Sequence, residues 1–196
     1  IGLGKGEDVP PGSPDSYMGY HRPWAHLSDT PFRKYKIWTH EGGIATPFIA
    51  HWPGEVEAVA MSDEVAHVMD LMPTVLDAAG ATYPNSFKGR DITDLDGKSL
   101  MPVLRGGDRS GHEALNWLHA DNHAIRRGRW KLVSPDARES WQLYDLVADR
   151  TETQNRASDR PEVVRTLSDR HQAWMSRVGA LSWQDYRKRR RAVRSN

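Results

Sequence analysis

The residues whose types could do chemistry begin in KYKIWTHEGG, where Lys36, His40 and Glu41 lie within six positions. A lysine just before a Gly-Gly pair could hold an anion as a compact, strongly hydrated point charge. The histidine could contact a substrate beside it. A solvent-exposed lysine, a structural hydrogen bond and an ion pair are the ordinary alternatives, and the residue types alone leave both interpretations open.

A second polar cluster, WLHADNH, contains His119, Asp121, Asn122 and His123. Two histidines four residues apart are compatible with metal ligation. On a strand, however, residues 119, 121 and 123 would face one side and residue 122 the other. No second group of ligands lies at a partnering spacing, so we predict no metal ligands in this chain. The cluster is more typical of a wet strand end or of the rim of a substrate site.

Several common catalytic patterns are absent from the sequence. It has no Walker motif, no G-x-S-x-G and no H-E-x-x-H. It has no cysteine, which excludes both a disulfide framework and a thiolate metal site. If the chemistry of this protein depends on a nucleophile, these patterns do not supply it.

The overall charge favours no polyanionic partner and no membrane. The 27 basic and 26 acidic residues give a net charge of +1, so we predict neither nucleic acid nor a membrane as partner. No run of 18 apolar residues is present. The last eleven residues, YRKRRRAVRSN, contain six cations. We predict a solvated, fraying tail there, and a patch for nucleic acid or anionic lipid is the alternative.

The N-terminal half reads as loops around one strand and one helix. Residues 1–30 predict a long loop, and a chain that opens in this way is expected to be a fragment or a processed chain. The apolar run Ala45–Trp52, between Gly-Gly and Pro-Gly, predicts a fully buried strand. Asp70 is placed to cap a helix that ends near Gly80, and residues 99–104 predict a short helix.

The pattern changes near residue 110, where we predict a domain boundary. Four short runs at 114–119, 123–126, 130–133 and 142–146 predict a small antiparallel sheet. A long helix should follow, with Asp159 and Glu162 as a capping box. Its apolar stripe, which needs the sheet as a partner, consists of Val164, Leu167, His171, Trp174 and Val178.

Taken in order, these segments resemble the C-terminal portion of the sulfatases, specifically the arylsulfatase type. The stretch DTPFRKYKIWTHEGGIATPFIAHWPG resembles the family's late signature, in which a lysine stands five residues before Glu-Gly-Gly. HVMDLMPTVLDAAGA resembles its Asp-x-x-Pro-Thr helix, and GKSLMPVLRG the loop that follows. AIRRGRWKLV and WQLYDLVADRTETQN resemble its C-terminal subdomain. The resemblance extends from about residue 25 to residue 180.

The resemblance implies an α/β, alkaline-phosphatase-like fold that continues into a small antiparallel sheet with a long helix. On this basis residues 1–110 are the end of the catalytic domain, 111–180 the C-terminal subdomain and 181–196 a basic tail. It implies hydrolysis of sulfate esters by a formylglycine made in a C/S-x-P-x-R motif, beside Ca²⁺. Neither that motif nor the metal-ligand set occurs here, so we expect both in a missing N-terminal part and expect this chain alone to be inactive.

Within the chain, the resemblance implies that Lys36 contacts the sulfate and assists the leaving oxygen. His119 and His40 are the candidate substrate-binding residues. The implied substrate is a sulfated small molecule or polysaccharide, and the implied location is periplasmic or secreted. A phosphonate or phosphate monoester hydrolase of the same fold, and a non-enzymatic module that binds polyanions through the basic tail, stay open as alternatives.

Overall fold

A computed structural model describes residues 2–4, 13, 16–18, 22–58, 60–136 and 140–194. They fall into two compact units. The first unit combines Ile1–Thr46 with Asn116–Asn196, and the second is Pro47–Leu115. The sequence had predicted a single boundary near residue 110, with residues 1–110 on one side of it. The difference arises because the segment around Glu41 packs on the C-terminal sheet rather than with the residues that follow it.

The secondary structure is mixed α/β. The short pairs β1–β2 and β3–β4 are antiparallel, and the main sheet has the order β5-β6-β7-β8. The elements are β1 (Gly2–Gly4), β2 (Ser16–Met18), α1 (Arg22–Ser28), α2 (Glu41–Ile44), a 3₁₀ turn (Val68–Asp70), α3 (Leu71–Ala78), β3 (Ser86–Phe87), β4 (Arg90–Asp91), α4 (Met101–Leu104), β5 (Leu115–His119), β6 (Asn122–Arg127), β7 (Trp130–Ser134), β8 (Gln142–Asp145), α5 (Pro161–Arg177) and α6 (Trp183–Arg194).

The predicted sheet and long helix are confirmed, and the main sheet is covered on both faces. Since side chains alternate along a strand, the register places Ile125, Leu132 and Leu143 together on one face. All three are fully buried, and α5 packs against β6 and β7. The opposite face carries Lys131 and Tyr144, which are also buried. Covering both faces explains why β7 is buried along almost its whole length.

The start of α5 differs from the prediction. The helix begins at Pro161, and its N-cap residue Arg160 makes no side-chain cap. Asp159 forms an ion pair with Arg156 instead of the predicted capping box. Proline at the first helical position supplies a preset φ and loses no backbone hydrogen bond there, so the helix starts without the cap.

The predicted strand at Ala45–Trp52 is wrong. These residues form no helix or strand, and Phe48 and Ile49 are 55% and 87% exposed. A buried strand needs neighbouring strands to satisfy its backbone groups, and within the described part of the chain no strand pairs with this run. Composition identified an apolar segment correctly but could not supply its partners.

The basic tail also differs from the prediction. Residues Trp183–Arg194 form α6, so the described part of the tail is a regular helix rather than a fraying end.

Among the described helices, none combines the length and the apolar character that crossing a membrane requires.

The second unit is organised around the carboxylate of Asp70, which is fully buried. Its Oδ1 accepts a hydrogen bond from Lys98 N at 2.9 Å and lies 2.7 Å from Nε2 of His112. Its Oδ2 accepts from His67 N at 3.0 Å and from Arg109 at 3.1 Å. Burial by itself would raise the pKa of Asp70, but these donors outweigh it and lower the pKa. Asp70 therefore ties the start of α3 to residues 98–112, which is a larger role than the predicted helix cap.

We expect Asp70→Ala to lower the free energy of unfolding by about 3–5 kcal/mol, because it removes the shared acceptor of His67 N and Lys98 N and one of the two carboxylates paired with the buried Arg109. Asp77→Ala is the matched control, since its exposed carboxylate accepts one hydrogen bond, from Ser99 Oγ, within the described residues, and it should cost less than about 1 kcal/mol. Urea unfolding of both variants measures the difference. Equal losses would contradict the central role of Asp70.

Candidate functional site

Lys36 lies in a tight turn formed by residues 35–38. Trp38 N donates a hydrogen bond to Tyr35 O at 3.1 Å, which puts Lys36 and Ile37 at the two central positions. Ile37 has φ 95°, a value that a turn of this kind normally assigns to glycine. A β-branched residue there is strained by about 1–3 kcal/mol. The turn is thus held by its surroundings and not by its own preference.

The Lys36 side chain is exposed, and it makes no hydrogen bond or ion pair within the described residues. Its neighbour behaves differently, because Lys34 Nζ lies over the Trp38 ring, 4.4 Å from the centroid. A cation at this distance is attracted by the face of the ring. Within the described part of the chain, Lys36 therefore presents an ammonium group without a protein partner, whereas that of Lys34 lies on an aromatic ring.

The glycines after the turn allow the backbone to approach itself closely. A Cβ on Gly43 would lie 2.0 Å from Trp38 O, and one on Gly42 would lie 2.4 Å from Arg33 O. Gly42 N donates to Arg33 O at 3.0 Å. Only glycine fits at such contacts. The Gly-Gly pair therefore folds α2 back against the segment that carries Lys36.

The carboxylate of Glu41 anchors this folded segment to the sheet. Its Oε1 lies 2.7 Å from Nζ of Lys131, and its Oε2 accepts from Nε of Arg150 at 2.9 Å. Lys131 is fully buried and also lies 2.8 Å from Oε1 of Glu152, a contact whose geometry does not make a hydrogen bond. Glu152 Oε2 accepts from the backbone N of Glu41 at 2.7 Å. Two carboxylates therefore share one buried lysine.

The pKa values of the two carboxylates are shifted in opposite directions. Burial tends to raise the pKa of Glu41, but Lys131 and Arg150 outweigh it, so the pKa is lowered. Burial raises the pKa of Glu152, and Lys131 offsets only part of that effect. Since Glu41 is already paired with Lys131 and Arg150, its charge is not available to neutralise Lys36.

A polar loop holds Glu152 in place. Glu152 has φ 58° in a buried position, a left-handed conformation that is costly without support. The carboxylate of Asp149 supplies the support by accepting from Thr153 N at 3.1 Å and from Gln154 N at 2.7 Å. Arg33 donates to Glu152 O as well. The loop DRTETQN thus holds Glu152 in the conformation in which its carboxylate reaches Lys131 and Glu41 N.

His40, a candidate substrate-binding residue, lies in the interior of the first unit. Its ring is 1% exposed and lies 6.1 Å from the Tyr144 ring. Burial, followed by the nearby charges of Lys131 and Arg33, lowers the pKa of His40 to about 4. Gln142 lies close enough to favour the protonated form slightly, yet neither ring nitrogen makes a hydrogen bond within the described residues. The ring is therefore neutral at pH 7.

His119 is the exposed last residue of β5, directly before the two-residue turn that leads into β6. Ala120 and Asp121 form this turn with φ 48° and 65°, the values of a tight hairpin turn. The alternation predicted for residues 119–123 is therefore wrong, because the chain reverses within the cluster. No hydrogen bond, ion pair or ring contact joins His119 to Lys36 or His40 in the described part of the chain.

The second histidine of the cluster, His123, faces α5. Its Nδ1 lies 3.0 Å from Nε2 of His171, whose Nδ1 lies 3.0 Å from Oδ1 of Asn116. An amide oxygen only accepts, so His171 must donate from Nδ1 and accept at Nε2 from His123. Burial and then His123 lower the pKa of His171 to about 4. The helical periodicity places His171 in an apolar stripe and does not reveal these hydrogen bonds, because His123 and His171 are 48 positions apart.

Among the described residues, no group of three or more His, Asp or Glu side chains is arranged to hold a metal ion. The buried carboxylates Glu41, Glu152 and Asp70 already bind cations or donors of the protein itself. These residues therefore do not fit a Ca²⁺ site, and the ligands that the resemblance implies stay a prediction about other residues.

We expect Lys131→Met to lower the free energy of unfolding by about 3–5 kcal/mol, because it leaves two buried carboxylates without their shared cation. Arg129→Met is the matched control, since its ion pair with Asp145 is half exposed and such pairs contribute about 0–1 kcal/mol. Adding Glu41→Gln and Glu152→Gln to Lys131→Met should restore part of the loss. Chemical unfolding measures all four proteins, and no difference between Lys131→Met and Arg129→Met would refute the network.

The neutral His40 predicts a loss of stability in mild acid. Its pKa falls from 6.5 to about 4 on folding, so below pH 6.5 the unfolded chain takes up a proton that the folded chain does not. The free energy of unfolding should therefore decrease as the pH falls from 6.5 towards 4. His40→Phe should show a shallower decrease over this window and a parallel curve between pH 7 and pH 8. Identical slopes in the two proteins would show that His40 does not titrate in this way.

Comparison with known proteins gives a consistent picture. The profile of the family described as "N-sulphoglucosamine sulphohydrolase, C-terminal" matches residues 32–176. An uncharacterized sulfatase of Schizosaccharomyces pombe is 30% identical over 185 residues, covering 89% of this chain and 32% of that protein. Human arylsulfatase A is 31% identical over 160 residues, covering 66% of this chain and 30% of that protein. The chain spans about a third of the length of these relatives.

The fold comparison agrees. A solved structure from work on the metabolism of multiple glycosaminoglycans by Bacteroides thetaiotaomicron has a TM-score of 0.59 and 25% sequence identity to this chain. The match covers 74% of this chain and 32% of that one. The portion in common is again about a third of the longer chain.

Proposed function

Since the chain belongs to the sulfatase family, in which it matches the C-terminal portion, we propose that the complete protein hydrolyses sulfate esters. In this reaction Lys36 would contact the sulfuryl group. The matching relatives include human arylsulfatase A, and the fold is that of the alkaline-phosphatase-like sulfatases. The observation that carries the proposal is the exposed ammonium group of Lys36 on a strained, tightly anchored turn.

The electrostatics of the segment suit this role. The nearest acidic residue in sequence, Glu41, is bound to Lys131 and Arg150, so the charge of Lys36 is available to an anion. A sulfate ester places negative charge on the sulfuryl oxygens, and more develops on the leaving oxygen as the ester bond breaks. A fixed cation aimed at that charge stabilises the transition state more than the ground state.

The strained turn would contribute by positioning the cation in advance. Glu41 and Glu152 fix α2 on the buried Lys131, and the glycines fold the Lys36 turn against α2. Strain held in this way costs about 1–3 kcal/mol of folding free energy, and it spares the enzyme the cost of ordering a flexible lysine during the reaction. A preorganised cation is more effective than a mobile one.

The residues discussed so far do not include the nucleophile or the metal ligands that the family implies. No C/S-x-P-x-R motif occurs in the 196 residues, and the described residues do not form a Ca²⁺ site. We propose that other residues of the complete protein would supply the formylglycine nucleophile and the ligands of the Ca²⁺. On this proposal the 196-residue chain by itself does not hydrolyse an aryl sulfate.

The substrate class and the location follow the family in the same way. We propose a sulfated small molecule or a sulfated polysaccharide as substrate, with the exposed His119, directly before the hairpin turn, as a contact. The similarity to a protein from glycosaminoglycan metabolism supports the polysaccharide. A periplasmic or secreted location stays a prediction.

In the complete protein, we expect Lys36→Met to lower kcat for 4-nitrophenyl sulfate about 10²–10³-fold, because one cation that stabilises the transition state is lost. Lys34→Met is the matched control, since its ammonium group lies on the Trp38 ring, and it should keep kcat within about threefold. Steady-state kinetics with both variants measure the effect.

Two results would contradict the proposal. An unchanged kcat in Lys36→Met would remove Lys36 from the reaction. Faster turnover of a phosphonate or phosphate monoester than of the sulfate ester, in a panel with the same leaving group, would favour the alternative hydrolase.

A further inference from the structure

The last helix of the chain combines cations with exposed aromatic rings. All residues from 183 to 193 are exposed, and residues 187–191 read RKRRR. At the start of the helix, the Trp183 and Tyr186 rings stack at a centroid distance of 5.2 Å, and they are 40% and 43% exposed. The helix thus exposes both charged groups and aromatic rings, the two kinds of group that a surface for a charged sugar polymer would use.

The register of α6 aligns these groups in one stripe. At 3.6 residues per turn, Arg187, Arg190 and Arg191 lie on one face, and Trp183 precedes Arg187 by one turn. Lys188 points elsewhere and pairs with Asp185. Arginine presents a planar fork of donors that matches the oxygens of sulfate, and an aromatic ring presents an apolar face that can pack on a sugar ring.

The helix is also fixed to the rest of the unit. The backbone N of Trp183 donates to Oδ1 of Asp121 at 2.8 Å. Asp121 belongs to the hairpin turn that follows His119, and this turn is held by the hydrogen bond from Asn122 Nδ2 to His119 O at 3.0 Å. The stripe of α6 therefore begins beside the loop that carries a candidate substrate contact.

We propose that the Trp183–Arg191 stripe of α6 is a secondary binding site for the sulfated polysaccharide substrate, separate from the reacting sulfate. The inference rests on the proposed function, because it takes the same class of substrate. A polymer whose reacting unit lies near His119 would pass along α6, where its other sulfate groups meet the arginines and its sugar rings meet the aromatic pair. The site would lower KM for the polymer and leave small aryl sulfates unaffected.

The position of the stripe favours this ligand over a nucleic acid. Aromatic rings interleaved with cations also suit single-stranded nucleic acid, and charge alone does not distinguish two polyanions. The tether to the His119 hairpin, however, joins the stripe to the face proposed to take sulfate esters. A nucleic acid has no sulfate ester to place at that face, so the connection would not strengthen its binding.

The test compares two triple variants of the complete protein. One is Arg187→Gln, Arg190→Gln and Arg191→Gln. The matched control, Arg165→Gln, Arg170→Gln and Arg177→Gln, removes the same charge from α5, where all three residues are exposed. Glutamine keeps a helix propensity close to that of arginine, and circular dichroism verifies that both variants are folded. Heparin is the probe, with chemically desulfated heparin and single-stranded DNA as comparison ligands.

We expect the α6 variant to bind heparin at least tenfold more weakly than the wild type at 0.15 M salt, with the α5 control within about threefold. Since each cation that releases counterions contributes up to about one to the slope of log Kd against log salt, the slope should decrease by up to about three. KM for heparin desulfation should increase at least tenfold, and kcat/KM for 4-nitrophenyl sulfate should change less than twofold.

A second variant tests the connection to the hairpin. Asp121→Gly keeps the positive φ of the turn and removes the acceptor that holds Trp183 N. Heparin affinity should stay within about twofold of the wild type, while KM for heparin desulfation should rise. An unchanged KM would overturn the link between the stripe and the reaction.

Other results separate the inference from the proposed function. Equal heparin binding by the two triple variants, equal binding of desulfated heparin, or tighter binding of single-stranded DNA than of heparin would overturn the secondary site. Failure to hydrolyse any sulfate ester would refute the proposed function, and direct heparin binding would still decide whether α6 is a site for sulfated polymers.

Discussion

The sharing of the buried ammonium group of Lys131 between two carboxylates is the interaction on which the first unit depends. Burying ions is costly, and the cost is offset only if each charge finds close partners. Glu41 and Glu152 lie 2.7 and 2.8 Å from Lys131 Nζ, and Arg150 supplies a further cation to Glu41. The three groups come from α2, from β7 and from the loop after β8. The network therefore defines how those elements pack, because any other arrangement would leave a charge buried and unpaired.

This constraint links the buried ion network to the position of the exposed Lys36 turn. The face of the sheet opposite α5 would be open without the segment around residues 33–44, and Lys131 would then be exposed to water. With Glu41 bound to Lys131, the glycines allow the turn of Lys36 to pack against α2. These contacts hold Ile37 at φ 95°. The same contacts bury His40 and lower its pKa. Stability and the position of the lysine therefore come from one set of interactions.

The two histidines that looked alike in the sequence have unrelated environments. His119 and His123 lie four residues apart, and a strand would have placed both on one face. A turn at Ala120 and Asp121 intervenes, so His119 is exposed and His123 meets His171 on α5. The turn could not be predicted with ease, because neither of its residues is the glycine or asparagine that such turns prefer. Asp121 nevertheless has a reason to be there, since it also holds the start of α6.

The sequence by itself determined the order of segments, the four strands and long helix of the C-terminal sheet, and the family, because these depend on local periodicity and on motifs read along the chain. The resemblance, and not the composition, also singled out Lys36 as a candidate, and its role stays a proposal. Only the tertiary structure decided the fate of Ala45–Trp52, since a strand exists only where neighbours satisfy its backbone. It also decided the roles of Glu41, Lys131 and Glu152. Their partners lie 90 and 111 positions away, and no local pattern records which buried charges will meet.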